Sequence, residues 1–188
     1  MLNRSSKKNG YTLVEVLVVV SIMGVLSSMG VASLRNAVIN SRMKDCALNT
    51  TAFLERMANE ANRMSKRLCV IKDTDQRLTA YVANDCNGSS LSDADTYDTF
   101  VIDAPARFID DCPGIDDFDD LANNNNWATG NDGDGALFIP RIGLSAAPSE
   151  GFACMQYGND EIYGMALNIK KNNMISAMWR SGDYWSRL

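Results

Sequence analysis

The sequence of 188 residues contains no histidine. Histidine is the most frequent general base and metal ligand in proteins, so the residue on which much acid–base and transition-metal chemistry depends is missing. The chain also lacks a glycine-rich phosphate loop and a nucleophile elbow. We therefore expect a protein that is not an enzyme and that has no organic cofactor.

The five cysteines contain no C-x-x-C pair, and structural zinc sites need such closely spaced pairs. In an exported chain, cysteines that bind no metal commonly form disulfides, and an odd number leaves at least one thiol unpaired. We expect pairing among Cys69, Cys86, Cys112 and Cys154, for which the sequence leaves all three connectivities open. Cys46 is expected to be buried and free.

Proline is absent between Tyr11 and Arg67, and this stretch contains a long apolar run. Of the 22 residues from Leu13 to Leu34, 15 are apolar and one, Glu15, is charged. At about 1.5 Å per residue, a helix of this length crosses a hydrocarbon core of about 30 Å. The run is too long for the apolar core of a signal peptide, so it predicts a transmembrane helix. The basic residues before it keep the N-terminus cytoplasmic.

A helical period continues beyond the apolar run. Apolar residues recur at steps of three and four, which predicts one helix from about 12 to 65 with a single buried face. The predicted stripe consists of Val38, Met43, Cys46, Ala47, Phe53, Leu54, Met57, Ala61 and Met64.

The remainder of the chain has the pattern of short strands. The segments "RLCVIK" and "LTAYVA" flank the polar turn "DTDQR", and "IYGMALNI" and "MISAMWR" flank "KKNN". Further candidates are "YDTFVID", "ALFIP" and "FACMQY". The prediction is an α+β fold, in which a long N-terminal helix packs on an antiparallel β-sheet head.

Glu15 is the unusual residue of the apolar run. A carboxylate at the centre of a membrane span costs about 2.5–3.5 kcal/mol, and less near the interface, so such a residue is expected to have a partner. Cleavage of the chain after Gly10 would give Tyr11 a free α-ammonium group. That amine, on the same helix or on a shifted neighbour, would neutralise Glu15.

The segment "GYTLVEVLVVVSIMGVL" resembles the class III leader of type IV pilins and type II secretion pseudopilins. In that family a short basic leader ends in Gly, and an aromatic residue, a Thr-Leu-x-Glu run and a long apolar segment follow. The resemblance implies cleavage after Gly10 by a prepilin peptidase, N-methylation of Tyr11, and pairing of Glu15 with a neighbour's N-terminus. Tyr11 replaces the usual Phe. Ala32 stands where many members have a helix-kinking proline.

The resemblance also implies an organisation and a function. Residues 1–10 would be the leader, 11–34 the transmembrane and assembly helix, 35–66 an amphipathic helix, and 67–188 the β-rich head. The chain would be a structural, minor subunit of a type IV pilus or a type II secretion pseudopilus. It would start as a single-pass inner-membrane protein with a periplasmic head, and its partners would be other subunits and the inner-membrane assembly platform.

Resemblance in the head is narrower. "LCVIKDTDQRLTAYV" and Gly-Asp-Tyr-Trp at 182–185 are similar to the minor pseudopilin H group. One alternative is a DNA-binding minor pilin, because the C-terminal region has a basic cluster: Lys170, Lys171, Arg180 and Arg187. The net charge of −5 makes a nucleic-acid partner the weaker hypothesis. The other alternative is a membrane-anchored surface adhesin with acidic loops.

Calcium is the one metal that the loops suggest. Asn131, Asp132 and Asp134 offer oxygen ligands, but no Glu closes a twelve-residue EF-hand pattern. We therefore expect solvated acidic loops, with calcium binding as the alternative.

Overall fold

The computed structural model describes residues 11–87, 91, 94–118, 125–129, 135–141, 144–147, 150–169 and 174–188. Within these ranges a single α-helix, α1 (Leu13–Met64), precedes ten strands. The strands are β1 (Leu68–Thr74), β2 (Arg77–Val82), β3 (Asp95–Val101), β4 (Ala106–Ile109), β5 (Ala136–Arg141), β6 (Leu144–Ala147), β7 (Gly151–Tyr157), β8 (Ile162–Asn168), β9 (Ile175–Ser181) and β10 (Trp185–Arg187). The chain divides into two compact units, residues 1–38 and residues 39–188. We call the second unit the head.

In the first unit, α1 is mainly apolar, and its described side chains are exposed. Every residue from Leu13 to Val38 whose side chain is described is exposed. The helix continues without interruption through Ala32, as expected for a segment without proline. The prediction for Val38 was wrong, because its side chain is 42% exposed and the buried stripe begins at Ile39.

In the head, α1 buries one face, as the period predicted. The buried members of the predicted stripe are Met43, Ala47, Phe53, Leu54, Met57 and Ala61. Cys46 and Met64 are only partly buried against this core. Thr50 lies on the same face, and its hydroxyl donates to the Cys46 carbonyl at 2.8 Å. This local hydrogen bond makes a buried threonine tolerable within the stripe.

The predicted antiparallel β structure is confirmed, and it forms two sheets. Their strand orders are β3-β2-β1-β5-β6 and β10-β9-β8-β7-β4. Both predicted hairpins are present, with Lys72 opposite Leu78 in β1–β2 and Asn168 opposite Ile175 in β8–β9. Strands β4, β6 and β10 were not predicted, since segments of three or four residues carry too little alternation to identify a strand.

The central strands of each sheet, such as β1 and β7, are buried on both faces. Residues from both sheets, such as Leu68 and Met155, share one core with the buried face of α1. On the opposite face of β7–β9, a second cluster includes Phe152 and Met165 together with Cys112. A third cluster on the outer face of β1 contains Cys69, Cys86 and Leu91. Burial on both faces explains why these strands appear as continuous apolar runs rather than as alternating ones.

In each sheet, a disulfide joins a central strand to the segment that covers the outer face of that sheet. Cys69 of β1 bonds to Cys86, with the Cα atoms 5.5 Å apart. Cys154 of β7 bonds to Cys112, with a Cα separation of 5.9 Å. The expected disulfides are therefore present, and the structure supplies the connectivity that the sequence left open. Cys46 carries a free thiol but is partly exposed rather than buried.

Small residues bring α1 close to β8. A Cβ atom added at Gly164 would lie 3.0 Å from Sδ of Met43 and 3.2 Å from Cβ of Ala47. It would also lie 3.2 Å from the carbonyl oxygen of Met43, which is fixed in the helix backbone. A side chain at position 164 would therefore crowd the close approach of helix and sheet.

Candidate processing and assembly site

The first turn of α1 is capped by Thr12. The backbone N–H of Glu15 donates to Oγ1 of Thr12 at 3.2 Å, and the N–H of Val16 donates to the Thr12 carbonyl at 3.3 Å. The first N–H groups of a helix have no partner within the helix, so a threonine at this position stabilises the start. Thr12 and Glu15 have the spacing of a capping box, Ser/Thr-x-x-Glu.

The position of Glu15 also suits its charge. It lies in the first turn of α1, where the helix dipole favours a negative group. Its neighbours Leu13 and Val14 are 79% and 70% exposed, and Tyr11 is 84% exposed. Among the described residues, Glu15 has no ion pair. The carboxylate is therefore available to a cation supplied from outside this turn.

Beyond Glu15, α1 presents an apolar surface suited to a bilayer. It contains an 18-residue window of mean hydropathy 2.2 that is not buried at all within the chain, which is sufficient by length and composition to cross a membrane. Ser21 donates to the Leu17 carbonyl at 2.8 Å, and Ser28 donates to the Val25 carbonyl at 2.7 Å. These bonds satisfy hydroxyl groups that would find no water in lipid.

The family model described as the prokaryotic N-terminal methylation motif matches residues 5–31. The chain carries a class III prepilin leader. This leader is consistent with the type IV pilins and pseudopilins, and it implies processing by a prepilin peptidase and assembly with other pilin subunits. No curated protein and no solved structure has significant similarity to the chain.

The leader and the apolar helix together indicate membrane anchoring. Gly10, the predicted last residue of the leader, lies outside the residues that the structure describes. The roles of Gly10, Tyr11 and Glu15 therefore remain predictions. The match ends at residue 31 and does not extend into the head.

The other predicted sites lie mainly in undescribed parts of the chain. This applies to the calcium candidates Asn131, Asp132 and Asp134, and to Lys170 and Lys171 of the basic cluster. The described residues contain no group of three or more His, Cys, Asp or Glu side chains that could hold a metal. Of the other two basic residues, Arg180 donates through Nε to the Gly182 carbonyl at 2.8 Å, and Arg187 is exposed on β10.

A groove of about 480 Å³, which no sequence pattern indicates, lies between α1 and residues 100–106. Cys46 lines this groove together with Asp45 and Asp103. Burial raises the pKa of the Cys46 thiol, and the carboxylates of Asp103 and Asp45 raise it further. A thiol kept neutral in this way is a poor nucleophile. The groove therefore fits a structural protein better than a thiol enzyme.

Proposed function

We propose that the chain is a structural, minor subunit of a type IV pilus or a type II secretion pseudopilus. It is inserted in the inner membrane, cut after Gly10, methylated on the amine of Tyr11, and assembled through the first half of α1. The observation that carries the proposal is a lone carboxylate, Glu15, at the start of the exposed apolar part of α1 and within a methylation motif.

The role of Glu15 follows from the physics of a helix in lipid. Lipid tails are as apolar as valine and leucine side chains, so burial of apolar surface scarcely distinguishes one helix neighbour or register from another. A charge pair does distinguish them, because electrostatic attraction is much stronger in a medium of low dielectric constant. Pairing of Glu15 with the Tyr11 amine of a shifted neighbour would set the register of assembly.

Two features support a structural rather than a catalytic role for the head. Its clefts lack histidine because the whole chain lacks it, and its free thiol has a raised pKa. The resemblance to the minor pseudopilin H group supports the pseudopilus alternative, and it rests on the sequence segments quoted above. The head would lie in the periplasm while the chain remains in the membrane.

Mass spectrometry of the purified chain tests the processing step. When the chain is produced together with a prepilin peptidase, we expect a mature N-terminus at Tyr11 that carries one methyl group. Substitution Gly10→Val should leave the chain uncut, because a peptidase that cuts after glycine has no room for the larger side chain. Methylation at another residue, or normal cleavage of the Gly10→Val chain, would contradict the proposal.

A further inference from the structure

Two residues separate the start of α1 from the bond that is proposed to be cut. That bond joins Gly10 to Tyr11. Tyr11 and Thr12 are not helical, and α1 begins at Leu13. Tyr11 is also 84% exposed. The site of cleavage and the start of the helix therefore have to be kept apart within a very short stretch of chain.

A helix that began earlier would enclose this bond. In an α-helix each carbonyl accepts from the N–H four residues further along, so in such a helix the Gly10 carbonyl would accept from the N–H of Val14. A peptidase must reach that carbonyl and bind the residues on both sides of it, which requires the turn to unfold first. The low helix propensity of Gly10 opposes an earlier start. The sequence nevertheless allows one, because Asn9 is at least as good an N-cap as threonine.

The cap made by Thr12 fixes the later start. Its Oγ1 accepts from the backbone N–H of Glu15 at 3.2 Å, and its carbonyl accepts from the N–H of Val16 at 3.3 Å. An N-cap residue makes these bonds with backbone angles that lie outside the helical region. A helix that continued back through Thr12 would instead bond the Glu15 N–H to the Tyr11 carbonyl. The cap and an earlier helix start therefore exclude each other.

We propose that Thr12 is a positioning residue for cleavage of the leader. Its cap holds the start of α1 at Leu13 and leaves the Gly10 carbonyl out of the helix, so that the peptidase can bind the chain on both sides of the bond. The hydroxyl acts on the helix boundary and not on the peptidase. The inference rests on the proposed cleavage after Gly10, and it gives Thr12 a role that is separate from assembly.

Cleavage kinetics of the full chain in detergent micelles, with a purified prepilin peptidase, test this role. Thr12→Val keeps the shape of threonine and removes the hydroxyl, and the loss of a cap changes the balance between the two helix starts about fivefold. We therefore expect kcat/KM to fall by about twofold to fivefold. Because the change lowers the fraction of chains that can be bound, KM should rise while kcat stays the same. Thr12→Asn, which caps through its amide oxygen and has no hydroxyl, should keep wild-type kinetics.

Two further measurements separate capping from direct recognition of the side chain by the peptidase. Adding Leu13→Pro to Thr12→Val should restore the boundary, because proline suits the first helical position and disfavours helical angles at the residue before it. Cleavage of this double variant should therefore return to the wild-type rate. Amide hydrogen exchange at Val14 should be slower in Thr12→Val than in the wild-type chain and unchanged in Thr12→Asn.

The outcomes distinguish this inference from the proposed function. Unchanged kinetics of Thr12→Val, slow cleavage of Thr12→Asn, or failure of the proline to restore cleavage would show the role of Thr12 to be wrong, while cleavage after Gly10 would stand. A wild-type chain that the peptidase does not cut would overturn the proposed function as well.

Discussion

The backbone N–H of Glu15 donates a hydrogen bond to Oγ1 of Thr12 at 3.2 Å. Thr12, which caps α1, and Glu15, in its first turn, therefore take part in both helix capping and the methylation motif. Removal of Glu15 has two effects, because it changes the capping box and also removes a charge. Substitutions that separate these effects give the most direct test of the assembly mechanism.

Glu15→Gln keeps a residue that suits the third position of a capping box but removes the charge. We expect this chain to be inserted and cleaved, yet to be absent from the filament fraction to the same extent as Glu15→Ala. Thr12→Ala should weaken the helix start by about 1 kcal/mol and still permit incorporation. Immunoblots of membrane and filament fractions measure both steps. Normal incorporation of Glu15→Gln together with failure of Thr12→Ala would assign the effect to capping.

Removal of either disulfide should destabilise the head in proportion to the loop that it closes. The separations are 17 residues for Cys69–Cys86 and 42 residues for Cys112–Cys154. The chain-entropy relation gives losses of about 3 and about 4 kcal/mol respectively. Denaturant unfolding of the paired alanine variants measures the free energies, and Cys46→Ala is the control. Equal stability of all three chains would refute the expectation.

The hydrogen bonds of Glu60 predict a loss of stability in acid. Its carboxylate accepts from Arg63 at 2.6 Å and from the Tyr97 hydroxyl at 2.6 Å. Arg63, followed by Tyr97, lowers the pKa of Glu60. A lowered pKa in the folded state stabilises the head at higher pH, and this contribution disappears as the pH falls from the ordinary glutamate value, about 4.3, through the folded value.

The variant Glu60→Gln tests this pH dependence. Its stability deficit relative to wild type should be present at neutral pH and should shrink as the pH is lowered through that window. Glu55→Gln, an exposed position on the same helix, controls for the loss of one carboxylate. Unfolding free energies measured from neutral pH to below pH 4 decide the matter. A deficit for Glu60→Gln that does not change with pH would rule out the linkage.

Gly164→Ala should destabilise the head by about 1–3 kcal/mol, the usual range for overpacking. The added methyl group would press against the Met43 carbonyl, which belongs to the helix backbone and cannot rotate aside. Gly24→Ala is a matched control on α1, since a Cβ atom there has no atom within 4 Å. Thermal melts of the two chains give the comparison. An unchanged melting midpoint for Gly164→Ala would mean that the helix and the sheet can move apart without loss of stability.

Local patterns were sufficient to predict α1, the β1–β2 hairpin and the leader, because each depends on residues close together in sequence. The boundary of the buried stripe was misplaced at Val38, since an apolar residue fits the pattern whether or not another element covers it. The two-sheet arrangement was not predictable in the same way. Strands buried on both faces, such as β7, lose the alternation that identifies their inner face.

The segment "NNNNWATG" shows a different limit of sequence analysis. Its asparagines and glycine are typical of a polar loop, but Trp127 is only 1% exposed. Asn126 holds residues 125–129 in place by donating to the carbonyls of Ile109 and Asp110 at 3.0 and 2.8 Å. These partners are distant in sequence, so no local pattern indicates them. The tryptophan that directly follows the asparagine run is the local feature that indicates burial.

The two disulfides make the architecture of the head depend on its chemical surroundings. Cys86 and Cys112 each lie on a segment that covers the outer face of a sheet. In a reducing compartment these covers are held by packing alone, and in an oxidising compartment they are bonded to β1 and β7. A chain made in the cytoplasm and moved across a membrane would thus acquire its full rigidity only after transport. The head would therefore resist unfolding more strongly on the oxidising side of the membrane than on the reducing side.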